Sequence, residues 1–159
     1  MHTIKLISKG ITAVIAFAAI INLSGCGGSP GASPSGQEQV LKLLAAGSGQ
    51  WKIQSVTVDN VDKTSMFTNM TISFTSQYQY NVTNGGPVWL ITVGQGTTTN
   101  GSFTLSADGK TMTRSSDQLT VDVNVTESTL ELGLTWNKTT FGPGRLSSLS
   151  GNHVFKFNK

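Results

Sequence analysis

The chain has 159 residues, one cysteine, two histidines and a formal charge of +3, and only 12% of its residues are charged. That length suits one ordinary domain with its own core. The charge is too small and too scattered for nucleic-acid binding, which leaves a basic arm or patch as its footprint. Abundant Ser, Thr, Asn and Gly favour β-strands with short polar turns over long surface helices.

Residues 1–25 have the parts of an export signal. Lys5 and Lys9 supply the positive start, and residues 11–21 (ITAVIAFAAII) form the apolar run. This run falls short of the about 20 apolar residues that a permanent membrane span needs. It ends in Leu23-Ser24-Gly25-Cys26, which resembles the lipobox of bacterial lipoproteins. The resemblance implies that Cys26 is diacylated, becomes the first residue of the mature chain and carries a palmitate-type lipid anchor. Two acyl chains hold a protein stably where one is marginal. The other reading is a cleaved secretory signal followed by a free cysteine, a liability in an oxidising compartment. Without Lys5 and Lys9, nine basic residues face eight acidic ones. Residues 26–36 then read as the lipidated cysteine and a flexible polar tether, and residues 37–159 as the domain. No acidic residue follows Cys26 directly. Under lipoprotein rules this points away from inner-membrane retention and from surface display, and so to the periplasmic face of the outer membrane.

Residues 38–46 (EQVLKLLAA) are the one helical candidate, with Val40, Leu41 and Leu44 on one face and Gly47 as a stop. So short a helix must dock on the domain to exist. From Gly49 the apolar period becomes two. Trp51 and Ile53 begin a strand that runs to Val58, and a shift of phase near Ser55 predicts a bulge. A turn at Asp59-Asn60-Val61-Asp62 follows. Met70, Ile72 and Phe74 alternate with polar residues; Tyr78, Tyr80 and Val82 continue the pattern until Asn84-Gly85-Gly86-Pro87 breaks it. Residues 88–93 read as a strand with Trp89, Ile91 and Val93 on one face, and residues 94–101 as a loose polar loop.

Two hairpins fix register by arithmetic. A turn at Asp108-Gly109 sets Leu105 opposite Met112 and Phe103 opposite Arg114. A turn centred on Glu127-Ser128 sets Val125, Val123, Val121 and Leu119 opposite Leu130, Leu132, Leu134 and Trp136. A slip of one residue would invert all four apolar matches. A Gly/Pro/Ser loop over residues 142–150 leads to a last strand with His153, Phe155 and Phe157 on one face. The expected fold is all-β: an antiparallel up-and-down meander of about eight strands, closed into a barrel, with one short N-terminal helix. Eight strands enclose a space that side chains just fill, or that holds one small ligand.

Gly49-Gln50-Trp51 resembles the Gly-x-Trp opening of lipocalins, whose Trp closes one end of the barrel. With Asn84-Gly85-Gly86-Pro87-Val88-Trp89 and Gly151-Asn152-His153-Val154-Phe155, the pattern is similar to lipocalin-like lipoproteins of Bacteroidetes over residues 47–159. In lipocalins an Arg late in the barrel stacks on that Trp; here the last strand offers Lys156, and Arg145 lies upstream in a loop. The resemblance implies a fold and a location, and neither an agreed ligand nor catalytic residues.

No catalytic residues are expected. Cys26 is taken by lipid, and His153 is the only histidine beyond the leader. It reads first as a hydrogen-bonded barrel residue. Asp59-Asn60-Val61-Asp62 lacks calcium-loop spacing and reads as turn chemistry. Asp108, Asp117, Asp122, Glu127 and Glu131 fall in turns or on the outward face, so neither an acid–base pair, a metal site nor a cofactor is expected. Arg114 lands on the inward face, where it either reaches solvent at the mouth or orients an anionic or polar ligand. A small apolar or amphiphilic ligand inside the barrel would meet Tyr78, Tyr80, Trp89, Arg114, Trp136 and His153. The competing reading is a ligand-free structural or protein-interaction module of the cell envelope. A cavity of about 300–1,000 Å³ favours the first; a core filled by Trp51, Phe74, Leu132, Trp136 and Phe155 favours the second. In both readings the partner is the membrane, and the protein is a monomer.

Overall fold

A computed structural model describes residues 33–89, 98–137 and 150–159. The leader, Cys26, residues 27–32, Ile91, Val93 and Arg145 lie outside the described residues.

The first element, α1, spans Gly36–Leu44 and starts two residues before the expected Glu38. Its start is set by a capping box: Ser35 Oγ accepts from the Glu38 amide at 3.2 Å, and Glu38 Oε2 accepts from the Ser35 amide at 2.9 Å. Leu44 is buried, and Val40 and Leu41 pack against the core. The Gln37 amide donates to the Ala107 carbonyl at 3.2 Å, tying α1 to the barrel.

Nine strands follow among the described residues: β1 (Gln50–Val58), β2 (Val61–Asp62), β3 (Thr71–Phe74), β4 (Gln79–Thr83), β5 (Thr98–Leu105), β6 (Thr111–Arg114), β7 (Thr120–Val125), β8 (Thr129–Trp136) and β9 (Gly151–Asn158). Eight of them, β1 and β3 to β9, form an antiparallel up-and-down barrel, which the β1–β9 pairing closes. The short β2 is an extra partner along β1. This is a lipocalin-like architecture.

The expected bulge is present. Ile53 pairs with Phe157 and Ser55 with Lys156, leaving Gln54 as the extra residue. Trp51 and Val56 are five positions apart yet both buried, because the bulge resets the phase. Asp59 and Asn60, with φ of +48° and +65°, make a two-residue turn, so the expected four-residue turn shortens and Val61–Asp62 return as β2. Thr64–Phe67 form one turn of 3-10 helix that drops Phe67 into the core, edge-on to Phe155 at 5.1 Å.

Both register calculations hold where strands pair. Phe103 faces Arg114 and Leu105 faces Met112; Val123 faces Leu132 and Val125 faces Leu130. Val121 and Leu134 are buried, and Leu119 is partly buried just before β7.

Two expectations are corrected. Val88 and Trp89 do not begin the expected strand: Pro87–Trp89 is a single 3-10 turn, and the consecutive Val88 and Trp89 are both buried, which strand alternation forbids, while residues 90–93 lie outside the described residues. Gly86, with φ of +60°, sets that turn. Thr98 to Gly101 are not loop but the first half of β5, paired with β4. Their inward side lacks apolar residues because the Tyr80 ring lies across Gly101, where an added Cβ would collide with it. Where lipocalins stack an Arg on the Trp, Lys156 points outward to Glu131 at 3.4 Å, and the cation over Trp51 is Lys159, with Nζ 4.6 Å from the ring centre.

The barrel therefore has two distinct ends. At the α1 end, Trp51 Nε1 donates to the Leu44 carbonyl at 3.0 Å, and the β3–β4, β5–β6 and β7–β8 turns gather. The opposite end holds the β1–β2 turn, residues 84–89, the β6–β7 turn and the start of β9.

Candidate functional site

The polar residues of the interior meet at the end opposite α1, around Arg114. Alternation along β6 turns Met112 and Arg114 inward. The chain then reverses through Ser115–Gln118, where Gln118 has φ of +57°, and this brings Asp117 back against Arg114. Arg114 Nε donates to Asp117 Oδ1 at 3.2 Å and Nη2 to Oδ2 at 2.7 Å, a bidentate pair. Nη1 donates to the Val88 carbonyl at 2.7 Å. The guanidinium lies 5.1 Å from the Trp89 ring and 5.9 Å from the Trp136 ring, within the range of a cation–π contact.

Arg114 does not reach solvent at the mouth: its side chain is 0% exposed, and its charge is matched by a carboxylate that is itself only 7% exposed. Asp117, expected in a turn or on the outward face, is the residue that sequence reasoning missed. The available signal was the spacing Arg114-x-x-Asp117 across a four-residue reversal.

Tyr80, Trp89, Arg114, Trp136 and His153 come together; Tyr78 does not. Tyr80 meets Trp89 edge-on at 6.1 Å, and Trp89 meets Phe155 at 5.8 Å. His153 stacks on Phe155 at 5.7 Å with 10° between the planes. Tyr78 takes a φ of +57° ahead of β4, and its hydroxyl accepts from Gln37 Nε2 at 3.2 Å at the α1 end.

His153 Nδ1 sits 3.1 Å from the Gly151 carbonyl. A carbonyl can only accept, so Nδ1 carries the proton of the neutral ring and Nε2 keeps its lone pair. Among the described residues, His153 Nε2 and Trp89 Nε1 have no hydrogen-bond partner. Burial pushes the His153 imidazole below its ordinary pKa, against smaller opposing effects of the Gly151 carbonyl and Asp59. The folded state therefore resists the proton that the unfolded chain accepts near pH 6.5. Stability is expected to be level above pH 6.5 and to fall as pH drops from there through the lower folded pKa. Urea midpoints at pH 7.5 and 5.5 check this, and His153→Phe should flatten the difference.

The five core residues named from the sequence, Trp51, Phe74, Leu132, Trp136 and Phe155, are all buried in one contiguous cluster. Trp51, Trp89, Leu132 and Phe155 are 0% exposed. Among the described residues, grooves of about 530 and 540 Å³ lie on the outer wall, over β7–β9 and β3–β5. Another of about 650 Å³ lies beside α1.

No group of three or more His, Cys, Asp or Glu able to hold a metal occurs among the described residues. Asp59 and Asp62 are engaged in structural hydrogen bonds: Asp59 Oδ1 accepts from the Asn152 amide on β9 at 2.9 Å, and Asp62 Oδ1 from the nearby Thr64 amide at 2.8 Å. No helix among the described residues is long and apolar enough to cross a membrane. No protein-family model, curated protein or solved structure matches the chain.

Proposed function

We propose that the protein is a bacterial cell-envelope lipoprotein whose folded part is a filled, lipocalin-like barrel. In this reading it is a non-enzymatic structural or interaction module, held by Cys26 at the periplasmic face of the outer membrane. The observation that carries it is the interior. Trp51, Trp89, Leu132 and Phe155 leave no surface open to water, and Arg114 is satisfied by Asp117 and the Val88 carbonyl. A barrel so filled offers its outer wall and its ends to partners rather than its inside. Export and anchoring are supported by the lipobox-like Leu23-Ser24-Gly25-Cys26 behind its apolar run. Replacing Cys26 with Ala is expected to move the protein from the membrane to the soluble fraction; unchanged fractionation would refute the anchor.

A second reading, a small ligand held inside, is favoured by one observation. Trp89 Nε1 and His153 Nε2 are buried without partners among the described residues, and a ligand hydroxyl could satisfy both after a side-chain shift. Native mass spectrometry of protein taken from its own membranes separates the two. The filled-barrel reading expects the mass of the lipidated chain alone, and a co-purified small molecule would carry the second.

A further inference from the structure

We infer that a parting of the barrel wall between β7 and β8 is a binding site for a small primary aliphatic amine. Its ammonium group pairs with Asp122, and its alkyl chain lies against Leu119 and Leu134. The two strands pair only from Val125–Leu130 to Asp122–Gly133. Beyond that point they separate. Thr120 and Val121 stay with β6, and Leu134, Thr135 and Trp136 stay with β9. The Thr126 amide donates to the Thr129 carbonyl, so alternation makes Thr120 and Thr135 the next pair due to exchange backbone bonds. They are not paired. A groove of about 530 Å³ follows this opening at the Arg114 end, a size that suits a small molecule. Its lining comes from both faces of the sheet: Thr120, Asp122 and Thr135 from the outer, Leu119, Leu134 and His153 from the inner. Gly133 adds depth, because β8 sends no side chain outward there.

The lining calls for a donor. Among the described residues, Asp122 has neither a hydrogen-bond nor an ion-pair partner, and no Lys or Arg lines the groove. Thr135 Oγ1 gives its proton to Asn152 Oδ1 at 2.8 Å, which leaves its lone pairs to accept. His153 carries its proton on Nδ1 and keeps an unpartnered lone pair on Nε2, although the residue is only 1% exposed. Three acceptors thus meet beside two leucines. An alkylammonium ion has three donors and no acceptor, and its charge answers the free carboxylate. A neutral hydroxyl or amide would leave Asp122 without a counter-charge. The inference goes beyond the filled-barrel reading and does not depend on the anchor, since the site lies in the wall and the packed interior stays as it is.

The test uses the full-length protein in detergent, isotopically labelled at its Leu, Val and Thr methyl groups, titrated with butylamine and followed by NMR. The expected result is saturable shifts at Leu119, Leu134 and Thr135, with none at Thr98 or Thr104 on the outer face of β5. Asp122→Asn should weaken binding about 5-fold, the worth of one exposed ion pair. Gly133→Val should abolish it by filling the groove. Both variants keep the fold, because Asp122 is exposed and a Cβ at position 133 comes no nearer than 3.5 Å to Asp122. An equal response to butanol overturns the inference, since charge would then play no part. So do shifts that survive both substitutions, or the lack of any saturable shift along the groove. A response to acetyl-lysine methylamide without one to butylamine assigns the groove to a lysine of a partner protein, and overturns the small-molecule site.

Discussion

Replacing Asp117 with Ala is expected to destabilise the domain by about 3–5 kcal/mol, the cost of leaving one member of a buried ion pair uncompensated. The side chain of Arg114 is 0% exposed and capped on two sides by Trp89 and Trp136. Against a total stability of about 5–15 kcal/mol, the change leaves little. The double variant Arg114→Met with Asp117→Ala should recover most of the loss, because apolar replacement of a buried pair is often neutral. Some deficit remains, since the Val88 carbonyl loses its donor. Asp122, exposed on β7, provides the control, and Asp122→Ala should shift stability by no more than about 0.5 kcal/mol. Urea unfolding of the four proteins decides the matter. If Asp117→Ala behaved like Asp122→Ala, the pair would not be a buried one.

The asymmetry between these two aspartates marks where the sequence was readable and where it was not. Alternation placed Asp122 outward and Val121 and Val123 inward, and the hairpin arithmetic put Val123 against Leu132. Two-residue periodicity is a local property that a one-residue slip would destroy, so it survives without knowledge of the fold. The bulge at Gln54 was legible for the same reason, as a break in phase between Ile53 and Val56. Asp117 sits in a reversal, where no period exists, and its direction depends on the left-handed turn at Gln118 and on a charge waiting at Arg114. The first half of β5 escaped because its inward space is filled from β4, by Tyr80 over Gly101. Composition cannot show a side chain supplied by a neighbour. The start of α1 was in fact written in the chain as Ser35-Gly36-Gln37-Glu38, a capping box, but the surrounding Gly, Ser and Pro read as tether. Of the residues expected to line an interior site, Arg114 and four others come together through contacts made by distant elements. Tyr78 is drawn instead to Gln37 on α1.

Trp51→Ala is the second large effect, with an expected loss of about 3–5 kcal/mol from removing a buried aromatic. Its distribution over the molecule is more telling than its size. Trp51 Nε1 holds the Leu44 carbonyl at the last residue of α1, and its ring lies under Lys159, whose Nζ also approaches the Leu43 carbonyl at 3.4 Å. One side chain thus clamps the end of α1 and the end of β9 together. A nine-residue helix has almost no stability of its own, so losing the clamp should free α1 before the barrel opens. Native-state hydrogen exchange should show α1 amides opening at a free energy well below the global value in Trp51→Ala, whereas in the parent they track the barrel more closely. Trp51→Phe keeps the ring and loses only the donor, and should cost about 1–2 kcal/mol with a milder version of the same exchange pattern. Should α1 protection instead fall only in step with global stability, the helix would be held without the clamp, by Val40, Leu41 and Leu44 and by the bonds of Gln37 to Ala107 and Tyr78.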